Sequence, residues 1–197
     1  MAFNPQDKSA STPISLPAQG TVPARLARIV EIGQRETSYQ GKTRVKDQVQ
    51  FWYSLPTRII TDEGQYQGKQ HMIRTRRMTK TSSERGAIMD HINVLNPAAQ
   101  NFSELLNKPC FIQIVHNEVS NTEGKKVYAN VTSLMGVPEG MTVGELDTEP
   151  FYFDFYNPDE DVWTNMLWDG LREDLKKAVN YTGSALEKMV LKLEAGV

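Results

Sequence analysis

From Gly20 onward the chain alternates apolar and polar residues with the two-residue period of a strand. Val22, Ala24 and Leu26 alternate with Pro23, Arg25 and Ala27, and Ile29, Val30 and Ile32 then break the alternation before Gly33. A long first strand that shifts phase part-way predicts a bulged, strongly bent strand. A second strand is expected over residues 45–55, ended by Pro56. One of its faces carries Val45, Val49, Phe51, Tyr53 and Leu55, with Asp47 as the exception; the other carries Lys46, Gln48, Gln50, Trp52 and Ser54. A third strand is expected over residues 69–80, where alternation is poor and Arg74, Arg76, Arg77 and Lys80 crowd together. Residues 1–19, by contrast, are rich in Pro, Ser, Gln and Ala without an apolar period, and read as a flexible arm.

At Thr81-Ser82-Ser83-Glu84 the period changes. This tetrapeptide has the form of a capping box, with Thr81 placed to cap a helix and Glu84 to reach back. Ile88, Met89, Ile92 and Leu95 follow at helical spacing, and Asn96-Pro97 stops the helix. Two more strands, 110–116 and 127–134, flank the loop Asn121-Thr122-Glu123-Gly124. Three strands, a helix and two strands is the order of a five-stranded OB-fold barrel, so a mostly β domain is expected over residues 20–135. Past Met135 the character shifts again, to a turn-rich connection over 136–150 and the aromatic run Phe151-Tyr152-Phe153-Asp154-Phe155-Tyr156. The acidic Asp159-Glu160-Asp161 follows, and then Val162, Met166, Leu167, Leu171, Leu175 and Val179 predict an amphipathic helix. Ser184-Ala185-Leu186-Glu187 is a second capping box, opening a short helix with Leu186, Met189, Val190 and Leu193 on one side. Residues 136–197 are thus expected to form an acidic, aromatic connection and a C-terminal helical extension.

The 197 residues, 39% hydrophobic and 23% charged, are ordinary for a soluble globular protein. No stretch approaches the ~18 apolar residues of a membrane span, and the first seven residues lack the pattern of a signal peptide. The single cysteine, Cys110, excludes an intramolecular disulfide and a cysteine-based zinc site. A cytosolic address is expected by elimination. The net charge of −2 hides an asymmetry: residues 20–130 hold 16 Lys/Arg against 10 Asp/Glu, whereas residues 131–197 hold 5 against 13. A basic body followed by an acidic tail suggests two tasks for two segments; the plainer account is unevenly solvated charge.

No glycine-rich phosphate loop, GxSxG elbow or HExxH motif is present, so no enzymatic activity, cofactor or metal is expected. His71, His91 and His116 are scattered singly and read as structural or solvated. Asp159, Glu160 and Asp161 are consecutive, so their carboxylates diverge on any regular element. Binding of a single strand of nucleic acid, by contrast, needs cations that follow phosphates and exposed rings on which bases stack. Trp52 shares its strand face with Lys46, Gln48 and Gln50 and is expected to point outward; packing under a loop or the tail is the alternative. Tyr128 is expected outward with Lys126, Asn130 and Thr132, opposite Val127, Ala129 and Val131, while Phe111 is compatible with either face of its strand. Arg74, Arg76, Arg77 and Lys80 have no acidic residue between them to pair with locally. Lys42, Arg44 and Lys46 between the first two strands, and Lys125 and Lys126 between the last two, extend the same basic map. Tyr39-Gln40-Gly41-Lys42 recurs as Tyr66-Gln67-Gly68-Lys69, placing Tyr39 and Tyr66 near two presumed hairpin tips. In an OB barrel the face of strands two and three, with the loops joining strands 1–2 and 4–5, forms the ligand groove. Much of the positive charge is expected there.

Several of these stretches resemble phage single-stranded DNA-binding proteins with an OB fold. They are Gly20-Thr21-Val22-Pro23-Ala24-Arg25-Leu26 running into Ile29-Val30-Glu31-Ile32-Gly33, then Tyr39-Gln40-Gly41-Lys42, and the strand at 49–56. Asn107-Lys108-Pro109-Cys110 and Lys126-Val127-Tyr128-Ala129-Asn130-Val131 are similar too, as is an aromatic-acidic segment followed by a tryptophan-bearing helix. The resemblance spans residues 20–180. It implies sequence-independent coating of single-stranded DNA in replication, recombination or repair, in the host-cell cytoplasm. Self-association and replication or recombination partners reached through the acidic C-terminal region are part of that expectation. One departure is evident: the last residues, 191–197, are not acidic, and the acidic run lies internally at 145–161. A rival expectation is a protein-interaction or virion-structural barrel that uses the aromatic-acidic segment as its contact surface.

Overall fold

The computed structural model describes residues 14–80, 86–121 and 124–196. Its strands are β1 (Gly20–Tyr39), β2 (Lys42–Ile59), β3 (Gln70–Arg74), β4 (Met78–Thr79), β5 (Pro109–Asn121), β6 (Gly124–Met135) and β7 (Phe151–Phe153). The helices are α1 (Gly86–Leu95), α2 (Asp169–Lys176) and α3 (Ala185–Glu194), with a short 3-10 turn at Phe102–Leu105 and a π turn at Val162–Met166. The sheet runs β3-β2-β1-β5-β6, and β6 curls back against β3, so that five antiparallel barrel strands nearly close. β4 continues the third barrel strand, and α1 lies between it and the fourth, β5. The fold is thus the expected mostly β, OB-like barrel with C-terminal helices.

β1 can serve both β2 and β5 because it bends. Its register against β2 slips between Leu26 and Arg28 and again between Glu31 and Gly33. The first slip changes which residues face inward: Ala24 and Leu26 enter the barrel before it and Ile29 after it, leaving Ala27 and Val30 on the outer face. At the second, Gly33 has φ +75°, and a Cβ there would sit 2.9 Å from the Phe155 ring, so a side chain is excluded on both grounds. Pro56 does not end β2, which runs on to Ile59. The register against β3 shifts between Leu55 and Ile59, and that irregularity accommodates a residue without an N–H.

Two apolar layers share the sheet. Inside the barrel, Val49, Phe51, Tyr53 and Leu55 pack with Leu26, Ile29, Ile73, Ile112 and Ile114 beneath Ile88 and Leu95 of α1. On α1 the buried face is Ile88, His91 and Leu95, and Met89 is exposed. The capping box expected at Thr81–Glu84 lies outside the described residues.

The second layer covers the outer face of β1, β2 and β3. β7 adds a parallel pairing to β1 at Arg28, Ile29 and Val30, and Phe151, Phe153 and Phe155 are buried with Trp163, Trp168, Leu171 and Leu175. The single amphipathic helix expected from Val162 is instead divided. The π turn ends at extended Leu167, and Trp168 caps α2 in an extended conformation. Ser184 caps α3 as expected, its hydroxyl accepting from Glu187 N–H at 3.0 Å, while the Glu187 carboxylate accepts from Gly183 N–H at 2.7 Å. Among the described residues no helix is long and apolar enough to cross a membrane.

Part of the expected arm is pinned. Ser15 donates to Asp62 through its N–H at 3.0 Å and its hydroxyl at 2.7 Å, and Pro17 is buried with its carbonyl 2.9 Å from His116 Nε2.

His91 gives this core a pH dependence. Its Nδ1 lies 2.5 Å from the Tyr53 hydroxyl, and burial, opposed by Asp90, pushes its pKa down to about 4. A histidine in the unfolded chain titrates near ~6.5. Below that pH the unfolded state takes up a proton that the folded state refuses. The contribution is therefore complete above about pH 6.5 and is lost as the pH falls toward 4, by roughly 3 kcal/mol. Urea midpoints at neutral and mildly acid pH should fall for the parent chain and fall less for His91→Gln. Equal falls would assign the effect to other groups.

Candidate nucleic-acid interface

The cations gather on one side because the third barrel strand is interrupted. After Arg74 the ladder to β2 stops, and it resumes at Met78. Thr75 bridges the gap: its N–H donates to Phe51 O at 2.9 Å, its hydroxyl accepts from Phe51 N–H at 3.2 Å, and its carbonyl accepts from Gln50 Nε2 at 2.7 Å. With Thr75 held inward, Arg76 and Arg77 are carried out to solvent.

Arg74, Arg76 and Arg77 line a cleft of about 330 Å³ with Gln50, Thr75, Tyr128, Ala129 and Asn130. It lies over the seam where β6 meets β3. Among the described residues no acidic side chain lines it, and Tyr128 beside it is 41% exposed. Burial lowers the Arg74 pKa, an effect deepened by Arg77 and opposed by Asp174 and Tyr128. Arg77 is partly neutralised at the rim by Asp174 of α2, at 2.8 Å. Arg76 is exposed and forms no ion pair among the described residues. The cleft therefore offers one free guanidinium, one shared, one half-sunk, and an adjacent ring.

The expectation for Trp52 is corrected. Its ring is 1% exposed, in edge contact with Trp168 at 5.2 Å, and the Arg74 guanidinium lies 5.5 Å from its centroid. The polar residues flanking it are satisfied internally rather than by solvent: Ser54 donates to Gln70 at 2.6 Å, and Gln70 donates to the Glu145 carbonyl at 2.8 Å. A face that reads as polar along β2 is thus an interior face. The groove expected over strands two and three is roofed by residues 151–190, and the accessible cleft is displaced to the β3–β6 seam.

Other expected contacts separate from the cleft. Lys80 is engaged internally, 2.8 Å from Glu31 and 3.6 Å from Asp47, with Tyr156 beneath its ammonium at 5.3 Å. It is no phosphate contact in this arrangement. Tyr66 is half-buried against the outer apolar layer. Lys42 and Arg44 are exposed near the β1–β2 tip and Lys46 is half-buried, none of them lining the cleft. Tyr39 pairs with Lys42 through the backbone, and its side chain lies outside the description. Lys125 is exposed and bridges Glu118 at 2.8 Å; Lys126 is half-buried two residues before Tyr128, on the same strand face. Phe111 is half-buried.

In the aromatic-acidic segment Phe151, Phe153 and Phe155 are buried, whereas Tyr156 and residues 159–161 are exposed. Some of its acids order the local chain: Asp154 accepts from Tyr156 N–H at 2.8 Å, Asp159 from Val162 N–H at 3.0 Å and Asp161 from Asn165 at 2.6 Å. Gln50 and Thr75 escaped the sequence reading as site residues. Their only signal was the broken alternation near the arginines.

The fold and cleft together define an OB-like barrel whose strand-two and strand-three face is closed by its own C-terminal segment, leaving a cationic seam. The chain matches no protein-family model and no curated protein.

Proposed function

We propose that this protein binds single-stranded DNA without sequence preference, as a non-enzymatic partner of phage DNA replication, recombination or repair. The observation that carries the reading is the seam cleft, where, among the described residues, three arginines and no acid line a wall beside an exposed tyrosine. Arginine donates in a planar fork that suits phosphate oxygens. A tyrosine face accepts any base, with stacking worth about 1–3 kcal/mol. These are the two requirements for holding an unpaired strand.

Fluorescence anisotropy of labelled oligo-dT across a salt series tests this. Three phosphate contacts on a single strand give a slope of about −2 in log affinity against log salt. Absence of binding at low salt, or binding indifferent to salt, sinks the proposal. Saturation by a protein partner at fixed stoichiometry, without oligomer binding, would favour the interaction-module alternative.

A further inference from the structure

A second, larger hollow adjoins the arginine cleft. It has a volume of about 660 Å³, against about 330 Å³ for the cleft, and lies between α1 and β6. Thr75, Arg76 and Asn130 line both, so the two hollows adjoin across these side chains in one trough-like surface. Resting on the reading above, we propose that this hollow receives an unstacked nucleobase of the same strand whose phosphate Arg76 holds.

The change in chemistry along the trough supports a base there rather than more backbone. The cleft is lined by three cations, whereas the hollow holds Arg76 and the carboxylate of Asp90, which oppose each other in charge. A phosphate moving inward leaves Arg74 and Arg77 behind and approaches an anion. Among the described residues the remaining polar lining is the amides of Asn93, Asn117 and Asn130, the hydroxyls of Thr75, Thr132 and Ser133, and the His91 imidazole. Each amide offers two donors and an acceptor, a set that matches the mixed edge of a base and not the acceptor-only edge of a phosphate. Among the described residues no hydrogen bond engages the Asn93 or Asn117 side chain, so both amides are available to a ligand.

Met78, Val94, Val131 and Leu134 supply apolar lining between these polar groups. The volume falls in the range of small-molecule sites. Unpaired bases expose the edges that a duplex conceals, so only a single strand can present one here. The trough thus divides the work: the seam takes phosphates and a stacked base, and the hollow takes a base by its edge.

The test uses the full chain and oligo-dA, oligo-dC and oligo-dT of about a dozen nucleotides, a length within the usual site size of such barrels. Asn93 is exposed on α1, so Asn93→Leu is expected to leave the fold intact, with melting temperature as the check. An amide can turn its donors or its acceptor to any base edge, so losing one is expected to lower affinity for each of the three oligomers about tenfold. The salt slope should stay constant, because no phosphate contact is lost. In parallel, an oligomer carrying 4-thiothymidine is photocrosslinked to the parent chain and mapped by mass spectrometry. Crosslinks within residues 86–95 or 131–134 support the proposal. Unchanged affinities for all three oligomers in the variant, with crosslinks confined to the seam, overturn it while leaving the proposed function standing. A parent chain that binds none of the oligomers overturns the proposed function, and this inference with it.

Discussion

The double substitution Tyr128→Ala with Arg76→Gln is expected to abolish most single-strand binding while leaving the fold intact. Both side chains are exposed at the seam, and Arg76 has no ion pair among the described residues, so neither removal opens a cavity. Stacking on one ring is worth about 1–3 kcal/mol, and a hydrogen bond to a charged group about 1.5–3 kcal/mol. Together they amount to about 2.5–6 kcal/mol, or about two to four orders of magnitude in affinity. The single variants should separate the two contributions. Arg76→Gln flattens the salt slope by about 0.7, whereas Tyr128→Ala weakens binding at every salt concentration with the slope preserved. Anisotropy titrations at several ionic strengths measure both quantities. A double variant that binds as well as the parent would place the interface elsewhere on the barrel.

Trp52→Ala carries the other large effect, and it falls on stability. The indole is fully enclosed between β2 and Trp168, and it supports the Arg74 guanidinium. Removing a buried aromatic ring of this size costs about 3–5 kcal/mol, as transfer energy plus an unfilled cavity. For a chain of this length each kcal/mol lowers the melting temperature by about 2–4 °C, so a fall of about 10 °C is expected in a thermal melt. Binding measured well below the melt should change only through a loosened Arg74. Lost binding with an unaltered melting temperature would show that the indole meets the strand directly and that the C-terminal roof opens to admit it.

The two substitutions show why some of the site could be read from the chain and some could not. The outward direction of Tyr128 was legible from its alternation with Ala129 and Val131, which are half-buried, although Val127, expected in the same inward register, is exposed. Trp52 was misread by the same reasoning. Alternation says which residues share a face with Gln48, Gln50 and Ser54, but not what covers that face. Here it is covered by Phe151, Trp163, Trp168 and Leu175, about a hundred residues further along the chain. Lys80 was misassigned for a related reason: its partners Glu31 and Asp47 lie on β1 and β2, distant in sequence and adjacent in the sheet.

What the sequence determined by itself was the order and type of the barrel elements. The bend in β1, the helix between the third and fourth barrel strands and the Ser184 cap follow from local periodicity and turn chemistry, which act over a few residues. Tertiary structure alone decided the rest: that the outer face of β2 is an interior, that the C-terminal chain divides into a π turn and two helices over it, and that the open cleft sits at the β3–β6 seam. Those outcomes depend on contacts between residues far apart in the chain. The free energy of burying a ring depends on what finally lies against it, and a strand's own pattern does not record that.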